Sequence, residues 1–297
     1  MVKMQFFKKS LVGGLMLLTI VAGCNRSQPS KPPPTHVPTI VSLKPNVTEI
    51  LFQLGLGDKI VGVTKYCLHP PEAQKITKVA DYVQANLEKI IALKPDLVIT
   101  SHENSTKREI VTLEKLGIRV LTLPFYSLQD IFDSTEVIGE ATGAGQRAAS
   151  LVSEMKRDIQ EIQDKIKGLP PPKALIVLDH RPLVVAGGGS LFDELMVLLG
   201  VENIAHQSKI RYPHFSTELM IGRAPEVILD MAMAVNVNNV KNKEGFLEWY
   251  QSFSSIPAVK NNNIHFLDVS LFHPSARIIE GIREMAKIFY PKVFFSS

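Results

Sequence analysis

GAGQRAASLVSEMKRDIQEIQDKIKG, residues Gly143–Gly168, places apolar side chains at Leu151, Val152, Met155, Ile159, Ile162 and Ile166. That is the i, i+3, i+4 spacing of one helical stripe. Glu154, Lys156, Arg157, Asp158, Glu161, Asp164 and Lys165 lie between them and make the opposite face charged and solvated. Gly168, followed by Pro170-Pro171-Pro172, ends the helix. Glycine takes the left-handed cap, and proline cannot continue the turn. The spacing predicts a helix over Ala148–Lys167, roughly 30 Å long. Taken alone, it is one more surface helix. The segments on either side change that, because they look alike.

Upstream, Thr39–Leu43, Ile60–Thr64, Leu97–Thr100 and Arg119–Leu123 are short apolar strands. Helical stretches alternate with them at Val47–Leu54, Leu87–Leu93, Thr106–Leu116 and Leu128–Ala141. Asn46 and Glu49 have the spacing of a capping box, and Asn86 stands at the next N-cap. Downstream come strands at Ala174–Leu178, Val227–Asp230 and Ile264–Leu267, a turn at Gly187-Gly188-Gly189-Ser190, and helices at Leu191–Leu199 and Ala276–Tyr290. Such alternation predicts βαβ units and parallel sheets. Tyr82, Glu88 and Pro95 have counterparts at Tyr212, Glu218 and Pro225, each 130 positions later. Glu49–Gly55 (EILFQLG) likewise echoes Glu194–Gly200 (ELMVLLG). The expected fold is α/β, with two similar Rossmann-like lobes over residues 39–142 and 169–297, joined by the long helix within 143–168.

The chain has 297 residues, 45% hydrophobic and 21% charged, the balance of a globular protein with a sizeable core. Lys3, Lys8 and Lys9 belong to a leader, and the other basic residues nearly balance the 29 acidic ones. Nothing in this charge pattern forms a nucleic-acid surface, which needs clustered Lys and Arg. Residues 1–23 have the order of a secretory signal, with lysines before the apolar run Leu11–Ala22. That run is too short to span a bilayer comfortably. Val21-Ala22-Gly23-Cys24 resembles a bacterial lipobox, which predicts Cys24 as the lipidated end of an exported protein. Residues 24–38 are polar and Pro-rich, a tether too poor in apolar groups to fold. Cys67 is the only other cysteine, so with Cys24 lipidated no intramolecular disulfide forms. It is a small buried filler or a ligand contact.

Catalytic signals are sparse. Gly143-Ala144-Gly145-Gln146-Arg147-Ala148 matches a dinucleotide fingerprint in letters but follows a helix instead of a strand. Gly187-Gly188-Gly189-Ser190 lacks the Lys-Ser/Thr of a phosphate loop, and no Gly-x-Ser-x-Gly elbow occurs. The eight histidines show no metal-binding spacing, so no catalytic residue, resident metal or cofactor is expected. His69 and His273 stand out by lying on loops expected at a cleft between the lobes.

Tyr66, Tyr82, Tyr212 and Phe272 lie in or near loops that follow strands or precede helices. In open α/β lobes, ligands sit at the carboxyl ends of the strands. Aromatic rings gathered there would stack on a planar ligand while phenol hydroxyls bond its rim. With His273 they form the candidate ligand-binding set. Glu88 and Glu218 fall in the first turns of repeat-related helices, where the helix dipole favours a carboxylate. Their symmetric placement also suits two acidic knobs docking on a two-fold partner.

Ile40–Glu49 (IVSLKPNVTE), Val61–Cys67 (VGVTKYC), Pro70–Ala73 (PPEA) and the run Asn86–Ile99 carry a resemblance to a known family. Over roughly Thr39–Tyr290 the chain resembles the Fe/B12 periplasmic-binding family, the helical-backbone receptors of ABC importers for vitamin B12, ferric siderophores and haem. The resemblance implies a class III periplasmic binding protein, two lobes on one rigid helix. It also implies an ABC permease dimer with its ATPase as partner, docked through Glu88 and Glu218. The membrane is reached only through the lipid anchor. Within the family the chain is most similar to the cobalamin receptors. Tyr66, Tyr82 and Tyr212 match positions that line the corrin pocket, with Tyr in place of Trp at two of them. The expected cargo is a corrinoid. A ferric siderophore would use Arg181, Arg211 or Arg277, and haem an axial Tyr66, His69 or His273. A scaffold lipoprotein and an exported enzyme are the readings from other classes.

Overall fold

β-branched and leucine-rich runs at Ile40–Ser42 (β1), Ile60–Thr64 (β2), Lys78–Ala80 (β3), Leu97–Ser101 (β4) and Arg119–Leu123 (β5) pair into one parallel sheet, ordered β3-β2-β1-β4-β5. β1 and β4 are buried along their whole length, which explains why they read as unbroken apolar runs and not as alternating ones. The computed structural model describes residues 37–81, 84–232 and 240–294. The leader, Cys24, most of the tether and Tyr82 lie outside the described residues.

Four helices connect and cover this sheet: α1 (Pro45–Gln53), α2 (Leu87–Ala92), α3 (Arg108–Lys115) and α4 (Leu128–Thr142). Asn86 caps α2 by accepting from the Lys89 amide at 2.9 Å, as its position predicts. Ser127 and Asp130 make a reciprocal capping box at the start of α4. Gly143, at φ 76°, closes that helix in the left-handed conformation and lets α5 (Gly145–Ile166) begin two residues later.

α5 has 22 residues, so it is about 33 Å long. Its buried stripe is Ala148, Val152, Met155, Ile159, Ile162 and Ile166, which matches the sequence period except that the stripe starts one turn earlier. Near its start the Arg147 guanidinium donates to the Leu54 carbonyl at 3.0 Å, where α1 ends. Near its finish Gln163 Nε2 donates to the Leu198 carbonyl at 3.1 Å, where the corresponding helix of the second lobe ends. The same kind of side-chain bond therefore ties both ends of α5 to the carbonyl ends of related helices.

The second lobe is built from β6 (Lys173–His180), β7 (Leu183–Val185), α6 (Leu191–Leu198), β8 (Glu202–Asn203), α7 (Thr217–Arg223), β9 (Val227–Asp230), α8 (Val240–Gln251), α9 (Pro257–Lys260), β10 (Ile264–Phe266) and α10 (Ile278–Phe289). Its sheet runs β10-β9-β6-β7, with β8 also beside β6. Leu97 pairs with Ile40 in one lobe and Val227 with Ala174 in the other, so the 130-residue offset places β4 and β9 in the same sheet position. The parallel α/β lobes are as expected, and the one exception in the second sheet is β7, which runs antiparallel to β6. Only Arg181 and Pro182 separate these strands, and a parallel crossover needs a dozen residues or more.

α4 and α5 pack closely because Gly139 has no side chain. A Cβ at position 139 would fall 2.4 Å from the Cβ of Ala148 and 3.2 Å from the Gly145 Cα. Gly139→Leu is expected to lower unfolding free energy by about 2–3 kcal/mol through overpacking. Urea unfolding measures it, and a change below about 0.5 kcal/mol, the surface-substitution range, would contradict this packing.

Candidate functional site

Strands β1 to β4 all end toward one edge of the first sheet, and the loops that follow them enclose a cavity of about 740 Å³. Tyr66, from the loop after β2, and His273, from the second lobe, both line it. The charged part of the wall carries both signs: Lys44 and Lys107 with Asp81, Glu103 and Glu109. Glu103 Oε2 accepts from the Ser101 hydroxyl at 2.6 Å and from Lys44 Nζ at 3.3 Å. Partial burial pushes the Glu103 carboxyl up, but the Ser101 hydroxyl and the Lys44 ammonium outweigh it and hold the group below its ordinary value. Glu103 is thus a fixed, ionised acceptor. No spacing rule marks these residues in the sequence. The one available signal was that His102–Lys107 follows the carboxyl end of a strand.

Tyr212 stands on the second lobe, 47% exposed, beside Arg211. Burial raises its phenol above the ordinary value, Arg211 opposes this, and the charge of Glu103 adds to the rise. Glu103 and Tyr212 therefore lie within electrostatic reach across the two lobes. The Arg211 guanidinium lies over the Tyr126 ring of the first lobe, 4.9 Å from its centroid.

Two expectations need correction. Phe272 does not face a cleft: it is 4% exposed, its ring 5.5 Å from that of Phe192 and packed on Gly281. The short helical turn Val269–Phe272 directs the ring inward and leaves His273 outward. Asn46 and Glu49 do not form a capping box, since Lys44 is the N-cap of α1 and makes no side-chain cap. Asn46 Nδ2 donates instead to the Pro274 carbonyl at 3.3 Å. Glu49, 2% exposed, accepts from Ser275 Oγ at 2.6 Å, His273 Nδ1 at 2.9 Å and Arg277 at 3.5 Å. Both residues reach into the second lobe.

Glu194, the repeat counterpart of Glu49, makes the reverse crossing. Its carboxylate accepts from the Leu128 amide at the start of α4, at 3.0 Å. Each lobe's first helix thus sends a glutamate to the start of the other lobe's last helix. Arg277 is occupied by Glu49 and Glu280, so its charge is already compensated. His69 lines a separate cavity of about 680 Å³, with Arg277, and is not brought to Tyr66. Cys67 is buried, its Sγ 3.1 Å from Thr48 Oγ1 and 3.2 Å from Thr64 Oγ1, as a filler between two hydroxyls.

Glu88 and Glu218 are both exposed in the first turns of α2 and α7. The backbone amide of Glu218 and the Ser216 hydroxyl hold the Glu218 carboxyl below its ordinary value. From Gln84 to Ile90 and from His214 to Met220 the order of exposed and buried residues is the same. One turn beyond each glutamate stands an exposed isoleucine, Ile91 at 42% and Ile221 at 41%. Among the described residues no group of three or more metal-ligating side chains occurs. No helix among them is long and apolar enough to cross a membrane.

A family described as periplasmic binding protein matches residues 40–271. An uncharacterised ABC transporter substrate-binding lipoprotein of Bacillus subtilis (strain 168) is 36% identical, covering 86% of this chain and 81% of its own. A vitamin B12-binding protein of Vibrio vulnificus (strain CMCP6) is 30% identical, covering 84% of this chain and 89% of its own. The solved structure of a periplasmic heme-binding protein from Roseiflexus sp. RS-1 superposes with a TM-score of 0.74 at 25% identity, over 86% of this chain and 98% of that one.

Proposed function

Because this chain belongs to the periplasmic binding protein family, we propose that it is an exported, lipid-anchored receptor that holds a corrinoid between its lobes and delivers it to an ABC permease dimer with its ATPase. The role is binding, without catalysis. The observation that supports the corrinoid best is the cavity beneath Tyr66 and His273, whose wall carries both lysines and carboxylates. A corrin is a planar macrocycle rimmed with neutral amides, which both donate and accept hydrogen bonds. Lys44 and Lys107 suit its carbonyls, and Asp81 and Glu103 suit its amide hydrogens. Tyr66 offers a ring for the macrocycle face. The likeness to the Vibrio vulnificus B12-binding protein points the same way.

The test uses the soluble chain from Asn25 onward, mixed with cyanocobalamin and passed through a desalting column. Corrin absorbance at about one ligand per chain in the protein peak is expected. Tyr66→Ala and Tyr212→Ala should each weaken binding by about tenfold, the value of one lost aromatic contact. A protein peak without corrin absorbance would refute the corrinoid reading and leave the import role intact. Haem is the second reading, favoured by the fold of the heme-binding structure and by Tyr66 and His273 as axial candidates. Docking through Glu88 and Glu218 is part of the proposal, with Ile91 and Ile221 as the apolar contacts beside them.

A further inference from the structure

Glu103 stands just past the carboxyl end of β4, where the short turn His102–Asn104 carries it to the cavity wall. Both of its hydrogen bonds fall on one oxygen. Oε2 accepts from the Ser101 hydroxyl at 2.6 Å and from Lys44 Nζ at 3.3 Å. Ser101 is 3% exposed, so the carboxylate is held from a buried strand end while its own side chain stays 52% exposed. Among the described residues no hydrogen bond is made to Oε1. Lys44 also lines the cavity, and its charge is already compensated by Glu103. The Glu103 charge is felt by Tyr212 across the cleft, which sets the carboxylate at the face shared by the lobes.

An ionised acceptor with one unused oxygen suits a neutral N–H and repels a carboxylate set against it. The same residue occupies the cation that such a carboxylate would otherwise use. Chemical relatives are separated by a repulsion against one as much as by an attraction to the other. We infer that the Lys44–Glu103 pair is a charge filter for the cargo: it accepts a rim that presents amide hydrogens at this point and rejects one that presents a carboxylate. The inference rests on the receptor reading given above. It assigns as cargo a macrocycle with amidated side chains in preference to one with free acid side chains, haemin with its propionates included.

Cyanocobalamin, its singly hydrolysed monocarboxylates and haemin are the probes, with equilibrium dialysis at neutral pH and fixed salt as the measurement. The parent should bind cyanocobalamin at least about tenfold more tightly than one or more of the monocarboxylates, because like charges set against each other are costly. Glu103→Gln keeps an acceptor oxygen, so cyanocobalamin should stay within about fivefold of the parent, the difference between a charged and a neutral acceptor. The disfavoured monocarboxylate and haemin should each gain at least about tenfold, because Lys44 is then free to meet an acid. Adding Lys44→Met to Glu103→Gln should remove that gain, which separates a freed cation from loosened packing. Thermal unfolding of each variant reports whether the fold is retained. Equal binding of cyanocobalamin and every monocarboxylate by the parent overturns the filter and leaves the corrinoid reading in place. So does a preference that Glu103→Gln leaves unchanged, or a gain that survives Lys44→Met. If no corrinoid binds, the corrinoid reading falls and haemin decides the filter. A gain in Glu103→Gln that the double variant loses upholds it, and the absence of such a gain overturns it too.

Discussion

Glu49→Ala is expected to lower the unfolding free energy by about 3 kcal/mol or more, the range for removing one partner of a buried charged network. For a chain of this size that is about 6–12 °C in melting temperature. The side chain is 2% exposed and collects Ser275 Oγ, His273 Nδ1 and Arg277. Alanine removes the acceptor and leaves those donors facing each other at the boundary of the lobes, with a cavity where the carboxylate was. Calorimetry measures the loss, and a melting temperature within about 2 °C of the parent, below 1 kcal/mol, would show that the contact holds nothing together. Glu194→Ala is the internal reference. Its carboxylate takes one backbone amide, from Leu128, so about 1 kcal/mol is expected.

The second large effect concerns transport and leaves folding alone. The double variant Glu88→Arg, Glu218→Arg is expected to lose more than about 100-fold in uptake, because like charges set against each other at an interface cost several kcal/mol. Ligand binding should remain at the parent level, since neither residue lines the cavity. The double variant should still fold, because both side chains are exposed, with a modest loss where each arginine meets the helix dipole that favoured the carboxylate. Each single reversal should fall between parent and double variant. Uptake of labelled ligand by cells carrying the variants is the measurement. Uptake within twofold of the parent would remove these glutamates from the docking surface.

Much of the architecture was legible because the relevant signals are local. β1, β4 and β9 are short apolar runs bounded by proline or polar residues, and α5 announces itself by its stripe and its Gly168 stop. Asn86 and Glu88 recur as a cap and first-turn carboxylate at Ser216 and Glu218, so the repeat was visible without any structure. β7 escaped notice because three residues between Pro182 and Ala186 are too few to show a period. Glu49 was misplaced for another reason. Asn followed by Glu three residues later has the spacing of a helix cap, and nothing local distinguishes a carboxylate that folds back from one that crosses to residue 275. The cavity wall was illegible in the same way. Lys44, Asp81, Glu103 and Lys107 come from separate loops, and only the packing of β1 to β4 brings them together.

The crossed glutamates also bear on recombination. A cut inside α5 divides the chain into two halves of similar architecture, yet it separates Glu49 from residues 273–277 and Glu194 from Leu128. A hybrid that takes its first half from one family member and its second from another inherits one side of each crossing from each parent. Both crossings must then be complementary at once for the hybrid to close. The two lobes repeat one another in shape, but they are not interchangeable modules.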